Sequence, residues 1–142
     1  MAVRNAEAAW EGSLKEGKGT MRLGSGAWEG PFSFGTRFED APGTNPEELI
    51  GAALAGCFSM ALGAGLGRGG FTPKRIATKA RVHIEKVEGG FGVTKIELTT
   101  DAEVPGVDEA TFQQAVEATK AGCPISKALG AVPITVEATL RG

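Results

Sequence analysis

A chain of 142 residues is long enough to bury a real core and short enough for a single domain over 1–142, so neither a disulfide nor a metal is needed to hold it folded. Its net charge of −2 gives no electrostatic case for nucleic acid or for a polybasic membrane contact. The opening MAVRNAEAAW has no apolar signal core, and two cysteines without a secretion signal point to the cytoplasm, where a thiol pair is more often reactive than a structural staple.

The first forty residues read as strands. Ala6, Ala8 and Trp10 alternate with polar positions, and Phe32, Phe34, Thr36 and Phe38 keep one parity. This reading places Arg37 at the end of a strand. A helix start follows: Asn45 suits the N-cap, Pro46 the first helical position, and Glu48 the carboxylate position of a capping box.

From Leu49 to Gly67 run 19 residues without a charge, close to the ~20 that a membrane span needs. Five glycines interrupt the run, and the remaining segments alternate or are amphipathic. The segment is therefore read as a soluble core helix covered on all sides. The Gly63-x-x-x-Gly67 spacing would let another helix approach closely, a weak hint of a dimer.

After Gly69-Gly70, a strand places Ile76, Thr78, Ala80, Val82 and Ile84 on one face. Gly89-Gly90 turns it into a return strand carrying Thr94, Ile96, Leu98, Thr100 and Ala102. Asp108 caps a helix from about Glu109 to Ala121, whose inner stripe is Phe112, Ala115, Val116 and Thr119, and Gly122 ends it. Pro124 opens a short helix through Leu129, and a last strand turns Ile134, Val136, Ala138 and Leu140 to one side. The order is that of an α+β domain with mostly antiparallel sheet around a long central apolar helix.

Two cysteines in near-duplicate settings dominate the candidates for chemistry: Ala55-Gly56-Cys57 in the apolar helix and Ala121-Gly122-Cys123-Pro124 at a helix start, 66 positions apart. On spacing alone, the plainer reading of Cys57 is a small core residue, whose thiol burial would raise in pKa and leave inert. Reactivity would need a nearby cation or hydrogen-bond donors. Cys123, ahead of Pro124, sits near an N-cap, where backbone N–H groups favour an anion; it can equally fill a gap between helices. Arg37 is the candidate cation, with a solvated strand-end arginine as its plainer reading. Glu47 and Glu48 fit a first helical turn for dipole reasons alone. Ten residues of helix separate Glu47 from Cys57, roughly 15 Å of rise, so Glu47 acting on a cysteine would have to come from a second subunit. A zinc site of Cys57, Cys123 and His83 has no supporting spacing. No phosphate loop or dinucleotide fingerprint is present.

Several stretches together resemble the OsmC/Ohr family, and within it the OsmC branch: Thr36-Arg37-Phe38-Glu39; Gly43-Thr44-Asn45-Pro46-Glu47-Glu48-Leu49-Ile50-Gly51-Ala52-Ala53; Cys57-Phe58-Ser59-Met60-Ala61-Leu62; and Ala121-Gly122-Cys123-Pro124-Ile125-Ser126. Gly70-Phe71-Thr72-Pro73 and Val104-Pro105-Gly106 extend the likeness over essentially the whole chain. The resemblance implies a thiol peroxidase for organic hydroperoxides, active in oxidative and osmotic stress and needing no bound cofactor or metal. It implies Cys57 as the peroxidatic cysteine, Cys123 as the resolving one, Arg37 as the thiolate-stabilising cation and Glu47 as the carboxylate that holds it. It further implies an intertwined homodimer with sites at the subunit interface, and a dithiol reductant such as dihydrolipoamide on a lipoyl protein. Glycines at 56, 63, 65 and 67 are the one departure noted. The alternatives are a thiol–disulfide redox protein without peroxide specificity and a non-catalytic ligand-binding dimer with core cysteines.

Overall fold

The computed structural model describes residues 2–141. Two compact units emerge, one up to Leu49 and one from Ile50.

In the first unit, β1 (Ala6–Glu11), β2 (Lys18–Leu23) and β3 (Glu29–Phe32) form an antiparallel sheet in that order. Gly19 lies opposite both Trp10 and Phe32, and the two rings stack across it with centroids 5.5 Å apart. A Cβ at Gly19 would fall 2.5 Å from the Phe32 ring, so only glycine fits. The alternation of Ala6, Ala8 and Trp10 correctly marks a strand, but β1 is exposed along its whole length.

The strand read through Phe38 stops at Phe32. Residues Phe34–Phe38 form a short helix, α1. Ser33 is the reason: its hydroxyl accepts from Thr36 N at 3.2 Å while its own N–H donates to Thr36 Oγ1 at 2.9 Å, a reciprocal box that starts a helix. The aromatic parity of two over 32–38 was a coincidence of spacing. Arg37 is therefore a helical residue in the last turn of α1.

Helix α2 (Pro46–Arg68) begins as the sequence indicates, with Glu48 N donating to Asn45 Oδ1 at 2.7 Å. The Glu48 carboxylate does not close the capping box; it accepts from Thr44 Oγ1 at 2.6 Å instead.

In the second unit, β4 (Arg75–Val87) and β5 (Gly90–Glu103) form a long antiparallel hairpin through Gly89 and Gly90, both at positive φ. The register slips between His83 and Ile84, leaving Thr94 as the extra residue of a bulge. Its hydroxyl donates to the exposed Glu85 carboxylate. The third strand, β6 (Ile134–Arg141), lies parallel to β5. A parallel neighbour needs a crossover, and α3 (Glu109–Gly122) with α4 (Pro124–Ala128) supplies it. Asp108 accepts from Thr111 N to start α3.

Leu54, Phe58, Leu62 and Leu66 make one stripe of α2, packed with Ile96, Leu98, Ala102 and Val104 from β5 and just beyond it, and with Phe112 and Val116 of α3. Burying these side chains contributes roughly 1.5–3 kcal/mol each. Ser59 Oγ donates to Thr78 Oγ1 at 2.7 Å, and Thr78 meets Thr100 at 3.1 Å, so the hydroxyls under the helix are satisfied. The expectation of a helix covered on all sides does not hold for one chain. Met60 is 81% exposed, and Ala52, Ala53, Gly56 and Ala64 are exposed beside it. By length and composition α2 could cross a membrane, but its leucine stripe packs as a core helix packs.

Candidate active site

The sequence candidates come together in two pairs. In the first unit, Arg37 and Glu47 form a two-pronged ion pair: Nε donates to Oε1 at 2.9 Å and Nη2 to Oε2 at 2.7 Å. Side-by-side geometry of this kind fixes the guanidinium plane as well as its charge. The turn between the helices makes it possible. Gly43 adopts φ +133°, and Asn45 caps α2 while its Nδ2 donates to Thr36 O at 2.9 Å, tying the end of α1 to the start of α2. Glu47 is 7% exposed; a carboxylate this buried needs a partner, and Arg37 is it. The pair leaves Nη1 of Arg37 outside its bonds, and the guanidinium lies 5.2 Å from the Phe38 ring. Trp10, Leu14, Phe32, Phe34 and Phe38 border a cavity of about 270 Å³ with Arg37. The sequence reading saw these aromatics as a strand face and missed the pocket; their density around a single arginine was the available signal.

In the second unit, Cys57 and Cys123 meet. Both are free thiols, and Cys123 Sγ donates to Cys57 Sγ at 2.8 Å. Cys57 is partly buried on the core side of α2. Cys123 is 1% exposed. It closes α3, its N–H donating to Thr119 O at 2.9 Å, and opens α4, its carbonyl accepting from Lys127 N at 3.0 Å. Pro124 at the first position of α4 has no N–H to lose and forces the chain to turn here.

The two thiols differ in acidity. Burial pushes Cys57 above the ordinary thiol range, the contact with Cys123 adds to this, and the Ile125 amide offsets part of it. Burial also works to raise Cys123, but the hydrogen bond with Cys57 and the groups at Ser126 and Ile125 outweigh it and hold Cys123 below the ordinary range. Of the two, Cys123 therefore ionises first, and Cys57, keeping its proton, then donates to the Cys123 thiolate. A second cavity of about 240 Å³, lined by Ala61, Ala64, Arg68, Thr119 and Gly122, reaches Cys123.

His83 is not part of this site. Its Nε2 lies 2.6 Å from Glu97 Oε1 on the polar face of the hairpin. Among the described residues no cluster of three or more metal-ligating side chains exists.

A buried thiol pair in a small α+β fold, with a held arginine and an aromatic pocket, defines a class of thiol redox protein. Residues 38–138 match the family of OsmC-like proteins, and the chain belongs to that family. It is 50% identical over 139 residues to the peroxiredoxin OsmC of Escherichia coli K12, covering 97% of this chain and 96% of the relative. It is 35% identical over 96 residues to an organic hydroperoxide resistance protein of Xanthomonas axonopodis pv. citri, covering 66% of each. The crystal structure of the organic hydroperoxide resistance protein OhrB of Bacillus subtilis superposes with a TM-score of 0.72 at 26% identity, over 95% of this chain and 98% of that one.

Proposed function

We propose that this protein is a thiol peroxidase that reduces organic hydroperoxides to alcohols in defence against oxidative stress. The observation that carries the reading is the 2.8 Å approach of Cys57 and Cys123 sulfurs from positions 66 residues apart, in a chain whose relatives are named for peroxide reduction or resistance. Cys57 thiolate attacks the distal peroxide oxygen; the O–O bond breaks, the alkoxide leaves and takes a proton, and Cys57 becomes a sulfenic acid. Cys123 attacks that sulfur, the S–O bond breaks, hydroxide leaves as water, and a disulfide forms. An external dithiol such as dihydrolipoamide, carried on a lipoyl protein, returns both thiols by exchange.

Cys57 needs a cation to reach thiolate near neutrality, because its own surroundings raise its pKa. Arg37, held by Glu47, supplies it. The helical separation of Glu47 from Cys57 favours a partner subunit as the source, and the exposed apolar stripe of α2 around Met60 supports a homodimer that covers it. The aromatic cavity beside Arg37 accepts the organic group of the peroxide. The protein works in the cytoplasm, without cofactor or metal.

The lowered pKa of Cys123 favours a second reading, a thiol–disulfide oxidoreductase in which Cys123 attacks first. Mass spectrometry after one equivalent of cumene hydroperoxide, with the remaining thiols trapped, tests the first. A loss of two hydrogens and a Cys57–Cys123 crosslinked peptide is the expected result; two unmodified thiols sink the peroxidase reading. Faster reaction of the reduced pair with a model disulfide than with the peroxide would select the second reading.

A further inference from the structure

Ser126 is buried, 6% exposed, and its Oγ makes no hydrogen bond although no solvent reaches it. An unsatisfied buried hydroxyl costs about 1–3 kcal/mol, so its retention calls for a reason. Position supplies one. With Cys123 as N-cap of α4, Ser126 is the third residue of the helix, and a side chain there reaches back toward the cap. The cap's own N–H is already engaged with Thr119 O, so the group left for the hydroxyl is the Cys123 sulfur. A thiol is a weak acceptor, whereas a thiolate is a strong one. The hydroxyl therefore lacks a partner in the neutral dithiol and gains one when Cys123 ionises.

We propose that Ser126 is a positioning residue for the resolving step: its hydroxyl donates to the Cys123 thiolate and holds that sulfur ionised and aimed as it attacks the Cys57 sulfenic acid. In that step the S–S bond forms, the Cys57 S–O bond breaks, and hydroxide leaves as water. The lowered pKa of Cys123 has the amide and hydroxyl of Ser126 among its causes. Cys57 and Arg68 on α2 also face Cys123, and α3 presents the non-titrating Thr119; each pair of proteins compared below differs at position 126 alone.

The inference rests on the peroxidase reading for its step, but it can be tested apart from that reading. The first experiment is stopped-flow measurement of Cys57 oxidation by cumene hydroperoxide and of subsequent disulfide formation, across pH, in wild type, Ser126→Ala and Ser126→Thr. Oxidation of Cys57 is expected to be unchanged. A charge-assisted hydrogen bond of about 1.5 kcal/mol corresponds to roughly one pH unit, so the disulfide-formation midpoint in Ser126→Ala moves up by about one unit. Below both midpoints thiolate falls about tenfold, but a Brønsted slope of about 0.4–0.5 makes the remaining thiolate about threefold more nucleophilic. The variant is then about threefold slower at low pH and about threefold faster at high pH, and the two profiles cross. Ser126→Thr, which keeps the hydroxyl, follows wild type. A uniform slowing at every pH means a packing role and overturns the proposal, as does an unchanged profile. If wild type is not oxidised by the peroxide, the peroxidase reading falls alone. The pH profile of Cys123 alkylation by iodoacetamide in Cys57→Ser protein, with and without Ser126→Ala, then still decides the role of Ser126.

Discussion

The two residue pairs of this protein are built by different physics. Arg37 and Glu47 are ten positions apart, and local rules assemble them: a Ser33 box starts one helix, Asn45 starts the next, and Gly43 makes the turn between. Cys57 and Cys123 are 66 positions apart, and only the packing of α2 against α3 and the hairpin brings their sulfurs together. In the local pair Arg37 keeps 38% of its side chain exposed while Glu47 is buried; in the distant pair Cys123 is buried and Cys57 partly buried against the core. A site element that must grip a carboxylate can be made by short-range capping. A thiol pair that must exclude water needs a tertiary fold around it.

The contrast can be broken most strongly at the sulfurs. Cys57→Ser is expected to lower peroxide turnover by at least about a thousandfold, since the remaining thiol, Cys123, is 1% exposed and shielded from the peroxide; a coupled assay of cumene hydroperoxide consumption reads this. Phe58→Ala, one residue away in the α2 core stripe, should cost about 3–5 kcal/mol of stability in urea unfolding and disturb the thiol pair with it. On the local side, Glu47→Gln removes the charge that holds Arg37. Turnover should fall by about ten- to a hundredfold through misplacement of the cation, with stability little changed. If Glu47→Gln instead unfolds the protein, the pair is structural and the division drawn between the two pairs fails.

Smaller effects sharpen the comparison. Gly19→Ala forces the Trp10 and Phe32 rings apart and should cost about 1–3 kcal/mol, confined to the first unit and visible in Trp fluorescence. The thiols should also mark stability in opposite directions. Cys123 has a depressed folded pKa, so its contribution is full above the unfolded thiol pKa and is lost as pH falls through the folded value. Cys57 has a raised folded pKa, so its contribution is full below the unfolded value and is lost as pH rises through the folded one. Chemical unfolding across pH should therefore pass through a shallow maximum near the ordinary thiol pKa. Cys123→Ser should remove the rising side and leave the fall; a flat profile in wild type would show that the two thiol acidities do not diverge as described.

Periodicity and capping in the sequence were enough to place α2, the β4–β5 hairpin, α3, α4 and β6, because the strands carry one apolar face and the helices begin at strong local signals such as Asn45, Asp108 and Pro124. They failed at Phe34–Phe38, where an aromatic at every second position imitates a strand and the Ser33–Thr36 exchange decides for helix. Nor did they show the bulge at Thr94, since a register slip leaves composition unchanged. The all-apolar run of α2 announced a helix but not its exposed side, because a uniformly apolar sequence carries no direction of burial.

What the sequence determined by itself was therefore the local part of the protein: most of its elements and the helix starts at Asn45, Asp108 and Pro124, while the Arg37–Glu47 pair was implied by the family resemblance alone. The tertiary structure alone decided that two thiols 66 residues apart meet at 2.8 Å, that Cys123 is held below the ordinary thiol range and Cys57 above it, and that the Ser126 hydroxyl is left without a hydrogen-bond partner. Hydrogen-bond and helix signals act over three or four residues and can be read along a chain. Desolvation and sulfur–sulfur contact depend on what the rest of the fold places around a side chain, and no local pattern encodes that.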